Sequence, residues 1–527
     1  MALGLSPAEI VAKEEYQLLV KADHWERVLL SDVAHVQNGF AFKSEFFDRD
    51  EGVPLIRIRD ISKLDTEHRF NGDYDDQYVI GTGDLLIGMD GDFLAARWKG
   101  GKALLNQRVC KLALKGENYD EHFFFYCLQP YLNAINAETS SVTVKHLSSK
   151  TIEAIPLPLP PLQEQHRIVA KIEELFSELD KGIESLKTAR EQLKVYRQAV
   201  LKHAFEGKLT EQWREENKDK LETADQLLTR IKQEREARYE EQLEEWKAAV
   251  KAWELAGKQG KKHAKPKKPK SLAAVGEEDI HGFPDLPAEW AHSRLGELID
   301  EPKYGTSKKC DYESDGMAVL RIPNVARGVI DSTDLKYAQF DDDEIETYRL
   351  RRGDVLTIRS NGSISLVGKC AIVSESEERF LYAGYLIRLR PNKRLLASEY
   401  LTAILSSHLL RTQIEQRAKS TSGVNNINSG ELQDLIVPAC GIYEQVEIVE
   451  KLGSALSEID ATEAEIDAQL LRSESLRQSI LKRAFSGQLI AQDSDDEPAS
   501  VLLERIKSEK TVDAKTRKKR TKNKDIA

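Results

Sequence analysis

The chain contains itself twice. EQHRIVAKIEELFSELD (164–180) returns as EQVEIVEKLGSALSEID (444–460), and RQAVLKHAFEGKL (197–209) returns as RQSILKRAFSGQL (477–489), displaced by 280 residues in both cases (164 to 444, 197 to 477). Glu164/Glu444, Gln165/Gln445, Ile168/Ile448, Val169/Val449, Lys171/Lys451 and Asp180/Asp460 are identical across the copies. A register held through both segments without a gap is duplication, and it requires one architecture to be built twice. Upstream the likeness is weaker but ordered: Trp25 and Trp290 open the halves, PLIRIRDI (54–61) parallels AVLRIPNV (318–325), and GDLLIG (83–88) parallels GDVLTI (353–358). The displacement drifts there between 264 (54 to 318) and 270 (83 to 353), as expected where loops between strands differ in length.

Residues 25–160 alternate short β-branched or aromatic runs with Gly-, Asp- and Asn-containing turns, a strand pattern, and HFFFYCLQPYLNAI (122–135) reads as a helix answered by SEYLTAILSSHLLRTQI (398–414). Pro156, Pro158, Pro160 and Pro161 end the first such region, because proline removes a backbone donor and restricts its neighbour. From Leu162 to Phe205 apolar residues recur every seven positions, Ile172, Leu179, Leu186, Leu193 and Val200, which predicts a coiled-coil seam. The second copy keeps Leu452, Ile459, Ile466 and Ile480 but places Ser473 on the row, so it is expected to pair with the first helix. Each helix would span about 66 Å at the usual rise of about 1.5 Å per residue.

The fold class is therefore α+β: two mixed β-rich domains alternating with two long helices that pair as a coiled coil, in a pseudo-two-fold internal repeat. The expected division is an N-terminal arm (1–24), a first β-rich domain (25–160), the first long helix with a charged helical extension (161–256), a Lys/Pro-rich linker (257–285), a second β-rich domain (286–440), the second long helix (441–490), and an acidic-then-basic tail (491–527). The linker GKQGKKHAKPKKPKS (257–271) and the run KTRKKRTKNK (515–524) are too polar to fold alone; either touches phosphates nonspecifically or is simply solvated.

Several function classes drop out. A chain of 527 residues exceeds one ordinary core. No stretch reaches the roughly 18 apolar residues of a membrane span, and MALGLSPAEIVAKEEYQLLV is not a secretion signal, so the expected compartment is the cytoplasm. Cys110, Cys127, Cys310, Cys370 and Cys440 lie far apart without metal-ligand spacing and are expected as reduced thiols. The formal charge of -11 argues against coating of nucleic acid by bulk attraction, so any DNA binding must be local. Phosphate-loop, dinucleotide, HExxH, GxSxG and EF-hand patterns are missing; GSISLVGK (362–369) has the wrong spacing for a phosphate loop. The acidic runs DYDDQ (73–77) and FDDDE (340–344) read as solvated turns, and no catalytic, cofactor or metal site is expected.

Two divergent β-rich halves, each leading into a near-identical long helix, with PLPLPPLQEQ (156–165) at one helix start and LKHAFEGKL (201–209) and LKRAFSGQL (481–489) at the ends, resemble the specificity subunit of Type I restriction-modification systems. The resemblance runs from Trp25 to Leu489, with one departure: the second start, IVPACGIYEQ (436–445), has one proline where the first has four, which predicts a less rigid bend. The resemblance implies a non-catalytic DNA-reading scaffold with two target-recognition domains, binding a bipartite double-stranded target with the helices as a ruler. It also implies two methyltransferase and two restriction subunits as partners, which bring the S-adenosylmethionine, ATP and magnesium chemistry. A coiled-coil scaffold without sequence-specific DNA contact is the alternative that the repeat alone permits.

Base reading needs Arg, Lys, Asn, Gln, Ser or Thr presented from loops at a sheet edge. Four loops qualify: 89–102, with Arg97, Lys99 and Lys102 around a Trp98 read as exposed; 139–149, with Lys145 and His146; 359–369, with Arg359, Ser360, Asn361 and Lys369; and 417–426, with Lys419, Asn425 and Asn426. Arg57 and Arg59, alternating along an expected strand, are assigned to a solvated face. Phe205 and Phe485, in the matched AFEG and AFSG segments, are candidates for partner contact, with helix capping by Gly207 and Gly487 as the competing reading.

Overall fold

The computed structural model describes residues 4–13, 15–139, 145–258, 264–269, 271–421 and 423–524. Part of the 139–149 loop, part of the Lys/Pro-rich linker, the Lys419 side chain and the side chains of the basic run 515–524 lie outside the described residues. The chain forms two compact units, residues 1–187 with 467–527 and residues 188–466, so each long helix contributes to both.

In the first unit a four-stranded antiparallel sheet runs in the order Ala34–Asn38, Val109–Leu114, Leu85–Gly88, Ala95–Arg97. A second sheet contains Arg69–Phe70, Val53–Ile56 and Ala103–Leu105, the last two parallel. The second unit repeats this wiring. Lys303–Tyr304, Leu386–Leu389, Val355–Ile358 and Cys370–Ile372 form the antiparallel sheet, and Lys336–Ala338, Met317–Leu320 and Leu381–Tyr382 form the other, again with one parallel pair. A three-stranded ribbon, Ser360–Asn361, Val424–Asn426 and Lys419–Thr421, is particular to the second unit among the described strands. The helix of the first unit is continuous over Glu121–Glu138. Its counterpart is broken into Ser398–Leu405 and His408–Arg417, where the Ser407 hydroxyl accepts from Leu410 N at 3.4 Å and caps a new start.

The long helices span Leu162–Phe205 and Ile442–Phe485, 44 residues each. They run antiparallel. In the first unit the early residues Ile168, Ile172 and Phe176 share a core with the late residues Ile480, Ala484 and Phe485. In the second unit Val200, Leu201, Ala204 and Phe205 share a core with Ile448 and Leu452. Arg477 pairs with Asp180 in one unit and Arg197 with Asp460 in the other, the reciprocal exchange that antiparallel copies of one helix require.

Each helix start is anchored by the same buried bonds. Gln165 Nε2 donates to Pro160 O (2.9 Å) while its Oε1 accepts from Asp120 N (2.8 Å); Gln445 Nε2 donates to Cys440 O (2.9 Å) while its Oε1 accepts from Ala397 N (2.9 Å). The strands before them, Pro156–Leu159 and Ile436–Ala439, pair in matching fashion with Glu26–Leu29 and Ala291–Arg294. The same glutamine bonds and strand pairing are thus present at both bends, although the second start carries one proline where the first has four.

Two peripheral segments differ from expectation. The residues read as an arm supply Ile10 and Leu19 to the first core. The residues read as a tail form a helix, Ala499–Lys524, whose Leu502 and Ile506 are buried; it matches Ala224–Leu255, whose Leu227 and Ile231 are buried. LLTRIK (227–232) and LLERIK (502–507) carry this further repeat, and each places an arginine against a glutamate, Arg230 with Glu222 and Arg505 with Glu497.

Candidate nucleic-acid interface

In the second unit the parallel strand pair ends at a cleft of about 1000 Å³. Lys308, Lys309, Arg321, Lys336 and Arg359 line it, and its lining includes no carboxylate. Lys308 and Arg321 are partly compensated from outside the lining, by Glu344 at 2.7 Å and Asp334 at 2.9 Å. Tyr304 and the 64% exposed Tyr385 add aromatic faces. Cations to hold phosphates beside rings and amides to meet bases is the composition of a nucleic-acid surface.

The first unit has a smaller cleft, about 300 Å³, lined by Arg57, Ile58, Arg59, Asn106, Gln107 and Arg108. These positions correspond one for one to Arg321, Ile322, Pro323, Ala383, Gly384 and Tyr385 in the larger cleft. Three contacts fix the correspondence. Arg57 N donates to the Asp60 carboxylate (3.3 Å) and Arg321 N to the Asn324 side chain (2.8 Å), each three residues on. Phe40 bridges Asn106 in parallel, as Thr306 bridges Ala383. Met89 N donates to Arg108 O and Arg359 N to Tyr385 O, both at 2.9 Å. The walls approach so closely that a Cβ on Gly39 would lie 2.1 Å from Asn106 O, and one on Gly305 would lie 2.2 Å from Tyr382 O.

Within the smaller cleft, Arg57 Nη2 meets His68 Nδ1 at 3.1 Å. Burial, and then the Arg57 charge, hold His68 below the ordinary imidazole value, favouring the neutral ring that can accept this bond. Arg108 lies 3.4 Å from Asp90 through Nε and 3.3 Å from His146 Nδ1 through Nη1, and His146 is itself 2.6 Å from Asp90.

The residues expected to read bases divide into those the clefts gather and those they do not. Arg359, Ser360 and Asn426 line the larger cleft, with Asn361 and Asn425 paired in the adjoining ribbon and Lys419 in its edge strand. His146 stands beside Arg108 at the smaller one. Arg97 is instead paired with Glu121 at the start of the Glu121–Glu138 helix, its guanidinium 5.5 Å from the Phe125 ring centre. Lys145 donates to the Asn136 carbonyl at 2.6 Å near the end of that helix. Lys99 and Lys369 are exposed outside the cleft linings, and Lys102 lies over the Tyr74 ring at 5.6 Å. Trp98, expected exposed, is 2% exposed and packed in the core, with its indole bonded to Gly101 O at 2.7 Å. Arg57 and Arg59 are not an alternating strand face: the strand stops at Ile56, and both line the cleft. Sequence reasoning passed over Lys308, Lys309, Arg321 and Lys336, although the PLIRIRDI and AVLRIPNV match had already aligned Arg57 with Arg321.

Phe205 and Phe485 are each 2% exposed, against Tyr400 and Phe123 with ring centres 5.4 and 6.1 Å apart. They are core residues, with no ring surface to offer a partner. Gly207 and Gly487, at φ 73° and 71°, take the left-handed conformation that ends each helix. Among the described residues no cluster of His, Cys, Asp and Glu could hold a metal ion, and no helix is long and apolar enough to cross a membrane.

A family profile described as the Type I restriction modification DNA specificity domain matches residues 22–189 and 287–472. The EcoBI specificity subunit of Escherichia coli is 32% identical over 97% of this chain and 98% of its own length. The EcoKI specificity subunit of Escherichia coli strain K12 is 25% identical over 93% and 96%. A solved chain from work on complex assembly and conformational transition of the type I R-M system has a TM-score of 0.58 at 18% identity, over 89% of this chain and 99% of that one, a likeness of fold alone. With both halves matched by the domain profile and one relative aligned along nearly all of its length, the chain belongs to the specificity subunits of Type I restriction enzymes, the DNA-recognising, complex-scaffolding component and not a catalytic one.

Proposed function

We propose that this chain binds a bipartite double-stranded DNA target, one half-site at each cleft, and that two methyltransferase and two restriction subunits assemble on it, bringing the S-adenosylmethionine, ATP and magnesium chemistry. The observation that carries this reading is the pair of clefts at matched positions, each lined by arginines and without a carboxylate in the lining. A duplicated chain with two divergent clefts suits a split target, because each half can be read by its own set of side chains. The test exchanges residues 25–155 for the corresponding region of a relative, followed by sequencing of methylated sites in the host genome. One half of the target changes and the other is retained. A change in both halves together would replace the two-reader arrangement with a single composite surface. Failure of the assembled complex to select any sequence would leave only the scaffold reading.

A further inference from the structure

Arg359 stands apart from the other cations of the larger cleft in how it is held. Its guanidinium lies 4.7 Å from the Tyr304 ring centre, over one face. Its Nε donates to Asn426 Oδ1 at 3.1 Å, and since arginine has no acceptor, the amide oxygen is the atom that must face it. Both supports are fixed in turn. Tyr304 Oη accepts from Ser429 N at 2.9 Å, and Asn426 is paired through its backbone with Ser360 and Lys419 in the ribbon. Among the described residues the two Nη nitrogens have no hydrogen-bond or ion-pair partner, and no carboxylate lines the cleft. A half-buried guanidinium with its face covered, its Nε occupied and its paired Nη donors unused matches a bidentate acceptor. Phosphate and the O6/N7 edge of guanine both present one. Lys308, Lys309 and Lys336 offer ammonium groups, point charges suited to phosphates, and Arg321 is turned to Asp334, whereas Arg359 is flanked by Ser360 and Asn426, residues of base-reading type.

We propose that Arg359, braced by Tyr304 and Asn426, reads a guanine in the half-site bound by the second unit. The proposal rests on the DNA-reading function above and deepens it by naming a residue and a base. The test uses the full chain assembled with its methyltransferase subunits, selecting from a library of random-sequence duplexes. The unaltered complex selects two half-sites, one containing a G·C pair that depends on Arg359. Arg359→Ala lowers discrimination at that pair roughly ten- to a hundred-fold and leaves the other half-site untouched. Arg359→Gln shifts the preference there from guanine towards adenine. Asn426→Ala, which frees Nε without removing the charge, weakens discrimination at the same pair and leaves the distant half-site untouched. Retained assembly with methyltransferase subunits, unchanged selection of the half-site bound by the first unit and unchanged selection at the other pairs of the second unit's half-site show that each variant is folded. Uniform loss of affinity for all sequences with a shallower salt dependence would make Arg359 a phosphate contact, overturning the proposal while the reading function stands. Unchanged selection by Arg359→Ala would overturn it as well. If the unaltered complex selected no sequence, the underlying function would fail, a distinct result.

Discussion

The glutamate that opens each repeated helix occupies the same position in both copies but bears different loads. Glu164, 2% exposed, accepts from Trp25 Nε1 at 3.0 Å and faces the partly exposed His24 ring at 3.2 Å. Glu444, 1% exposed, accepts from Trp290 Nε1 at 2.9 Å, Thr210 Oγ1 at 2.7 Å and Arg214 Nη1 at 2.6 Å, and the Arg214 side chain is 12% exposed. Removing Glu164 strands one indole donor, at about 1–3 kcal/mol for a buried polar group left without a partner. Removing Glu444 also takes the close partner from a largely buried guanidinium, which keeps only the longer pair with Glu289 at 3.9 Å and a 3.2 Å bond to Thr210, at up to about 3–5 kcal/mol. Glu444→Ala is therefore expected to destabilise more than Glu164→Ala, by about 2 kcal/mol. Urea unfolding of the full chain measures the loss, and hydrogen exchange at residues 290–294 and 25–29 assigns it to one unit or the other. Arg214→Met combined with Glu444→Gln should recover most of the deficit, because the unpaired charge is gone and an acceptor for Trp290 is restored. Equal losses for the two alanine variants, or a double variant no better than Glu444→Ala, would refute the claim that Arg214 makes the difference.

Phe205→Ala and Phe485→Ala should each cost about 3–5 kcal/mol in urea unfolding, the usual range for emptying a packed aromatic site, and any loss of subunit assembly should track that loss. Assembly lost at unchanged stability would return these positions to partner contact. His292, whose Nε2 is buried without a partner among the described residues, is held below the ordinary imidazole value by burial. The folded state thus binds its proton less readily than the unfolded state: its contribution is fully present above about pH 6.5 and is lost as pH falls through the folded value, by at most about 1.4 kcal/mol per pH unit. His292→Leu should flatten the acid limb of the stability profile, and a limb identical to that of the unaltered chain would exclude His292 as its source.

The long helices were legible because helical periodicity locks register: one inserted residue would rotate everything after it by about 100°, so duplicated helices keep a constant displacement and it shows. The matching pair Ala224–Leu255 and Ala499–Lys524 escaped because that displacement shortens from 280 to 275 (209 to 489, 227 to 502), and because the basic run KTRKKRTKNK gives the segment a polar composition that masks the few apolar positions, Leu502 and Ile506, that are buried. The clefts escaped for a different reason. Alternation along VPLIRIR placed Arg57 and Arg59 on a strand, but the hydrogen-bonded strand stops at Ile56, where the chain turns, and the turn delivers them to the cleft. Trp98 sits among Arg97, Lys99 and Lys102, which makes it look solvated, yet it is the core contact beneath them. Trp98 lies just past the three-residue strand Ala95–Arg97, so neither alternation nor its charged neighbours report that its ring turns inward.

The pattern of identity and divergence between the halves follows from what each position must satisfy. Gln165 and Gln445 are buried at 0% and 1%, with donor and acceptor both engaged, so a change at either would strand backbone groups in the core. Those positions stay the same. The cleft positions keep the backbone pairing and exchange the side chain: Arg108 stands where Tyr385 does and His146 where Asn426 does, because the ladder bonds there use main-chain atoms alone. Met89 occupies the place of Arg359, but at 5% exposure it is part of the first core, and the first unit presents Arg108 from the neighbouring position instead. Each half therefore offers an arginine to its cleft from a different segment, Arg108 just before the strand Val109–Leu114 and Arg359 just after the strand Val355–Ile358, with a different brace: Asp90 and His146 for one, Tyr304 and Asn426 for the other. A shared frame with separately braced arginines lets one half change its side chains while the anchoring of either long helix is left alone, since none of the cleft residues touches the bonds of Gln165 or Gln445.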